Sequence, residues 1–287
     1  VYYWSDGRLM SVPVDGGEVA EHYACPRGYR PTALSISSCG RYLAFAYAEQ
    51  MPTSTDTGKI YSSQAERMYQ CPRSVVIRLD LSENVAQALY GEPAWYSHVS
   101  ISPVDPNVVM FCHEGPWLLV QRIWIAWADT QEVWPLLKTR RLLGQCGHEY
   151  FTGTGKVMTQ YAERDTVDQY PWRHANVLLN PDGSDERKFW YQGPQPMHVQ
   201  TSHHDGTLMT GDCGRRTDIH DAEGSAMMSL IRLVDDRSEM TPLCRHGSSW
   251  TGHRSHPHPV FWPDDRWVLF DSDRGGRCNV YRVQVPS

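Results

Sequence analysis

The sequence predicts an all-β chain folded as a β-propeller, and three observations carry that expectation. Apolar runs are short and favour Val, Ile, Tyr and Trp, which is strand chemistry. They are mostly bounded by Gly, Pro, Asp, Asn or Ser, and no long segment holds a helical period. A pattern also recurs. His98-Val-Ser-Ile-Ser-Pro, His148-Glu-Tyr-Phe-Thr-Gly, His198-Val-Gln-Thr-Ser-His and His258-Pro-Val-Phe-Trp-Pro each lead through a small polar turn into an apolar run, with the histidines 50, 50 and 60 residues apart. A strand-rich period of roughly 40–60 residues marks propeller blades, which cannot bury their faces without stacking on neighbours.

In chain order, Val1-Tyr-Tyr-Trp enters directly into strand-like sequence, and Tyr2 to Val14 reads as the outer part of a preceding blade. Ala33 takes the histidine place in the earliest full unit, so units start near 33, 98, 148, 198 and 258. One strand type follows a turn: Ser38 to Phe45, Pro106 to Phe111, Gly155 to Met158, Asp205 to Met209 and Asp265 to Phe270. A second type is read as closing each unit: Val75 to Leu81, Arg122 to Trp127, Ala175 to Leu179, Leu230 to Val234 and Val280 to Val285. Ala65 to Tyr69 suits one helical turn in a loop. Residues 1–287 thus read as a single propeller domain with about five full blades. A closed six- or seven-bladed ring needs more chain, so an N-terminally truncated fragment is expected. The competing architecture is a β-sandwich or two stacked all-β domains.

Composition narrows the function classes. With 40% apolar and 21% charged residues the chain is globular. A net charge of −6 without a basic block argues against a nucleic-acid partner. No apolar stretch approaches the ~20 residues of a membrane helix, and no signal peptide is visible. Eight cysteines without a C-x-x-C pair suit reduced thiols in the cytoplasm.

The first strand of a propeller blade lines the central channel and begins near one rim, so a histidine repeated at that place gathers imidazoles in one funnel. Clustered imidazoles point to a metal site, proton chemistry, or both. His253-Arg-Ser-His256-Pro-His258-Pro is the densest cluster. Residues two apart in a strand face one side, so His256 and His258 can share an ion, and His253 can add a third nitrogen. His198 is the repeat-equivalent of His258 and the fourth candidate ligand. His203 and His204 read as solvated turn histidines. In Cys112-His-Glu-Gly-Pro-Trp117, Trp117 can stack on a ring-shaped ligand and Cys112 reads as a buried strand residue. Arg122 offers a guanidinium suited to a carboxylate, and His148 sits beside the flexible Gly147.

Together these stretches resemble the oligogalacturonate lyases, seven-bladed propellers of pectin catabolism. The resemblance runs through Cys112-His-Glu-Gly-Pro-Trp117, Gln121-Arg-Ile-Trp124, Gly147-His-Glu149, His198 with Asp205-Gly-Thr-Leu, Leu243-Cys-Arg-His246, and His256-Pro-His-Pro-x-Phe261 through Trp267 to Asp273. It implies β-elimination of short α-1,4-linked galacturonates, such as digalacturonate or its unsaturated form, with Mn²⁺. It places metal ligands at His198, His256 and His258, with His253 where the family typically has Gln. It assigns the Brønsted base to His148 and a substrate-binding arginine in the catalytic centre to Arg122. His113, Trp117, His98 and Arg245 are the further candidate substrate contacts. A histidine of the family pattern is lacking after Gly115-Pro-Trp117, where Leu118-Leu-Val-Gln121 is shortened. The competing readings are a non-catalytic TolB-like propeller binding a protein or sugar, a metallo-hydrolase, and an inactive truncated homologue.

Overall fold

The computed structural model describes residues 1–55, 57, 62–137, 143–166, 168, 172–213, 220–221 and 223–286, with His253 described by its backbone alone. Strands dominate. The described exceptions are a six-residue helix, Gln64–Tyr69, where one helical turn is expected, and a 3-10 turn at His253–Ser255. No helix among the described residues is long and apolar enough to cross a membrane. The chain divides into two compact units, Val1–Arg140 and Arg141–Ser287.

The first unit opens with an antiparallel three-stranded sheet, Tyr2–Ser5, Arg8–Ser11 and Ala20–Ala24. Asp6 and Gly7 both take left-handed backbone at its first turn, the geometry of a two-residue hairpin. A five-stranded sheet follows. Tyr29–Pro31 and Ser35–Ile36 both pair with Tyr42–Glu49, which is followed by Arg73–Asp80 and Val85–Pro93. Tyr42–Glu49 is apolar almost throughout because both its faces are covered. Leu43 and Phe45 enter one cluster with Leu9, Ile77 and Leu79, whereas Ala44 and Ala46 enter another with Val76, Val109 and Phe111. The unit ends in a meander of Tyr96–Ile101, Val108–His113, Ile123–Trp127 and Val133–Pro135.

The second unit holds two four-stranded meanders. Gly144–Phe151, Val157–Glu163, Arg173–Leu179 and Arg187–Trp190 form one. Val199–Thr201, Leu208–Gly211, Met227–Val234 and Arg237–Arg245 form the other. Their last strands touch through one parallel pair, Trp190 with Arg237, which makes a continuous eight-stranded sheet. A three-stranded sheet, Val260–Phe261, Trp267–Ser272 and Asn279–Gln284, completes it.

Two expectations are corrected. Between residues 29 and 245 there are four full units, not five, because the unit beginning near 258 shows three strands among the described residues. The strands read as closing each unit are third strands in those four units. The fourth strands lack an apolar run because they are largely exposed, as in Arg237–Arg245. The phase of the repeat holds. His98 and His148 lie inside the first strand of their sheets, and His198 and His258 lie just before theirs.

Candidate metal and proton-transfer site

In the second unit the repeat gathers its imidazoles. The ligand-type nitrogens of His198, His256 and His258 all lie within 4.8 Å of one another. The His198 ring is 4.2 Å from that of His258 and 5.5 Å from that of His256, centre to centre. The fully buried Asp212 anchors this arrangement. Its Oδ1 accepts from the His198 backbone N–H at 2.8 Å, and its Oδ2 lies 2.7 Å from His198 Nδ1 and accepts from the His258 N–H at 3.3 Å. A carboxylate at Nδ1 orients the ring and leaves Nε2 as the metal-side nitrogen, the usual arrangement behind a metal-binding histidine. Asp271 N–H donates to the Pro257 carbonyl at 2.7 Å, which pins the segment between the other two imidazoles.

The donor set fits a divalent transition metal. Bonds of about 2.1 Å hold adjacent donors about 3.0 Å apart and opposed donors about 4.2 Å apart, so these nitrogens need little adjustment to share one ion. Imidazole suits Mn, Fe, Ni, Cu and Zn.

His148 stands beside this cluster, its ring 5.0 Å from that of His198. It occupies a β-bulge. Gly147 pairs with Gln160 and Tyr150 with Met158, so one extra residue is inserted and His148 takes φ +53°. Thr159 Oγ1 donates to the Gly147 carbonyl at 2.9 Å inside the bulge. The His148 Nδ1 meets Gln160 Oε1 at 2.6 Å, and Gln160 Nε2 donates to the Pro196 carbonyl at 2.7 Å. The Trp250 ring lies 4.2 Å from that of His256, tilted by 33°, and its indole N–H is buried with no acceptor among the described residues, which suits a ligand or water oxygen. His148, His258 and Trp250 all have left-handed backbone, a strained state for bulky side chains.

In the first unit the buried Arg122 donates from Nη1 to Glu114 Oε1 at 3.1 Å and from Nη2 to His98 Nδ1 at 3.0 Å. Glu114 also accepts from Ser97 Oγ at 2.6 Å and from Gln64 Nε2 at 3.0 Å. Burial pushes its carboxyl pKa up, but the Arg122 charge and these hydrogen bonds outweigh burial and hold it below the usual value. Trp117 lies under the guanidinium at 5.8 Å. Donor atoms of His98, Cys112 and Glu114 also fall within 4.8 Å of one another. With Arg122 donating to two of the three, a second cation there is repelled. Ser97 also lines a cavity of about 550 Å³ with Arg30, Arg67, Trp95 and Tyr96.

Of the remaining candidates, His113 and Arg245 have other partners. His113 is sandwiched between Tyr96 at 5.2 Å and Trp124 at 4.7 Å, and its Nε2 lies 2.9 Å from Glu92. Burial lowers its pKa in spite of that carboxylate. Arg245 is an exposed ion-pair partner of Asp221 and Glu223. The His253 side chain lies outside the described residues. His203 and His204 are exposed at a turn organised by Asp265. Asp212, Gln160, Trp250 and Glu114 carry the site and were not singled out from the sequence. A signal existed for one of them. Cys112 and Asp212 each stand fourteen residues after a repeated histidine, and each accepts from that histidine's backbone N–H.

Comparison with known proteins supplies the context. The model of the family described as oligogalacturonate lyase matches residues 1–287. The oligogalacturonate lyase of Dickeya dadantii (strain 3937) is 30% identical over 302 aligned positions, which cover 100% of this chain and 74% of that protein. A solved structure of an oligogalacturonate lyase in complex with manganese superposes with a TM-score of 0.82 at 25% identity, covering 100% of this chain and 74% of that one. The β-propeller domain of the trilobed protease from Pyrococcus furiosus gives 0.54 at 10% identity, covering 92% of this chain and 71% of its own, a likeness of fold alone.

Proposed function

This chain belongs to the oligogalacturonate lyase family, and from that membership we propose how its residues cleave pectin-derived oligogalacturonides by β-elimination. The observation that carries the proposal is the convergence of His198, His256 and His258 with His148 alongside.

A galacturonate residue has a C5 proton next to its carboxylate and a glycosidic oxygen at C4. Taking that proton is difficult because negative charge builds on the carboxylate side. A divalent ion bound by His198, His256 and His258, most suitably Mn²⁺ as in the related structure, supplies Lewis-acid stabilisation of that charge. His253 is the proposed fourth ligand from the family pattern. His148 accepts the C5 proton, an imidazole being matched to proton transfer near neutral pH. The C5–H electrons form the C4–C5 double bond as the C4–O bond breaks, and the departing oxygen takes a proton from water, leaving an unsaturated uronate. Arg122 is the proposed partner of a substrate carboxylate, held rigid by Glu114 and His98. Digalacturonate and its unsaturated form are the proposed substrates. All eight cysteines are free thiols, which supports a reducing, cytoplasmic setting.

Digalacturonate with Mn²⁺ tests the reading through the ultraviolet absorbance of the conjugated product. His148→Ala is expected to bind metal in full and lose turnover by roughly 10²–10⁴-fold. His256→Ala and His258→Ala are expected to lose bound metal. Full metal content in these two variants, or saturated products from the wild type, would overturn the assignment.

A further inference from the structure

Two neighbouring imidazoles of the second unit meet different partners at the same ring nitrogen. His198 Nδ1 faces the Asp212 carboxylate at 2.7 Å, and His148 Nδ1 faces the Gln160 amide oxygen at 2.6 Å. The Gln160 amide has one workable orientation. Its Nε2 points at the Pro196 carbonyl at 2.7 Å, a group that only accepts, and the residue is 4% exposed. Its Oε1 therefore faces His148, and an amide oxygen also only accepts. A neutral His148 must then carry its proton on Nδ1 and its lone pair on Nε2. The bulge contributes to the same end, because left-handed backbone at His148 and the register of Gly147 with Gln160 set the ring against that amide.

We propose that Gln160 is a positioning residue of the lyase reaction, selecting the Nδ1-protonated tautomer of His148 and so presenting Nε2 as the acceptor of the C5 proton. This rests on His148 being the base. The contrast with Asp212 gives the choice of an amide its meaning. A carboxylate behind an imidazole strengthens it as a metal donor, as suits His198. An uncharged amide sets the tautomer without that increase, so His148 is kept for the proton and His198 for the ion.

The experiment combines kinetics with ¹⁵N NMR of histidine-labelled protein, loaded with Zn²⁺ as a diamagnetic substitute. The His148 resonances are assigned by their absence in His148→Ala. In the wild type, a pyrrole-type shift at Nδ1 and a pyridine-type shift at Nε2 are expected. Gln160→Met keeps the side-chain length and removes both hydrogen bonds. It is expected to shift His148 toward the other tautomer and lower kcat on the order of 10–100-fold, with KM within about threefold and metal content unchanged. An Nε2-protonated His148 in the wild type overturns the proposal without any Gln160 variant. Wild-type kcat in Gln160→Met, or joint loss of kcat, KM and metal, also overturns it. Retained turnover in His148→Ala would instead sink the assignment of the base itself, so the two failures are distinguishable.

Discussion

Glu114 is one of the partners that make Arg122 tolerable where it lies. The guanidinium is 3% exposed and its carboxylate partner 7%, so removing one charge leaves the other buried with less compensation. Glu114→Gln is expected to destabilise the fold by about 3–5 kcal/mol, read as a lower urea midpoint. The double variant with Arg122→Met is expected to recover part of that loss, because it removes the under-compensated cation too. Legibility divides along the same line. The metal-type histidines announce themselves, since imidazole is scarce and the repeat returns it at one phase. Asp212, Gln160 and Glu114 are ordinary polar residues in strand sequence, and their meaning comes from burial and from what lies opposite. Asp212 alone was within reach, through the fourteen-residue offset it shares with Cys112.

A repeat of strands is legible where the strand is apolar. Second and third strands of the units are legible in their runs of Val, Ile, Leu and Phe, first strands only through the repeated histidine, and the short helix at Gln64–Tyr69 lies where one helical turn is expected. Fourth strands were missed because a solvent-facing edge needs no apolar pattern, and that omission made third strands look like ends. The bulge at His148 was invisible for a different reason. Its extra residue exists only relative to the partner strand, and Gly147 signals no more than local freedom. Thr159 braces it from within, fully buried and donating to the Gly147 carbonyl. Thr159→Val keeps the shape and leaves that carbonyl short of a donor. A loss of about 1–3 kcal/mol is expected, measured by chemical denaturation of metal-free protein.

Across the described residues, three wholly or partly buried histidines unconnected with the proposed chemistry set an acid limit. His113, His174 and His246 are each held below the ordinary value of 6.5, chiefly by burial. Below about pH 6.5 the unfolded chain binds protons that the folded chain resists, so their contribution is complete above that value and is lost as pH falls below it. Metal-free protein is expected to show a lower urea midpoint at about pH 5.5 than at about pH 7.5; equal midpoints would contradict these environments. The all-β class and the family were both legible from sequence, because a repeated strand pattern and a dense histidine pattern survive without any single long motif. The left-handed backbone at His148, Trp250 and His258 has a consequence on a longer timescale. Each stores conformational strain of order 1–3 kcal/mol, and glycine or asparagine would relieve it at the expense of the chemistry. Selection for folding alone therefore pushes sequence away from this centre. A lineage released from its substrate should lose these three residues early while the sheets persist, leaving a sturdier, silent protein.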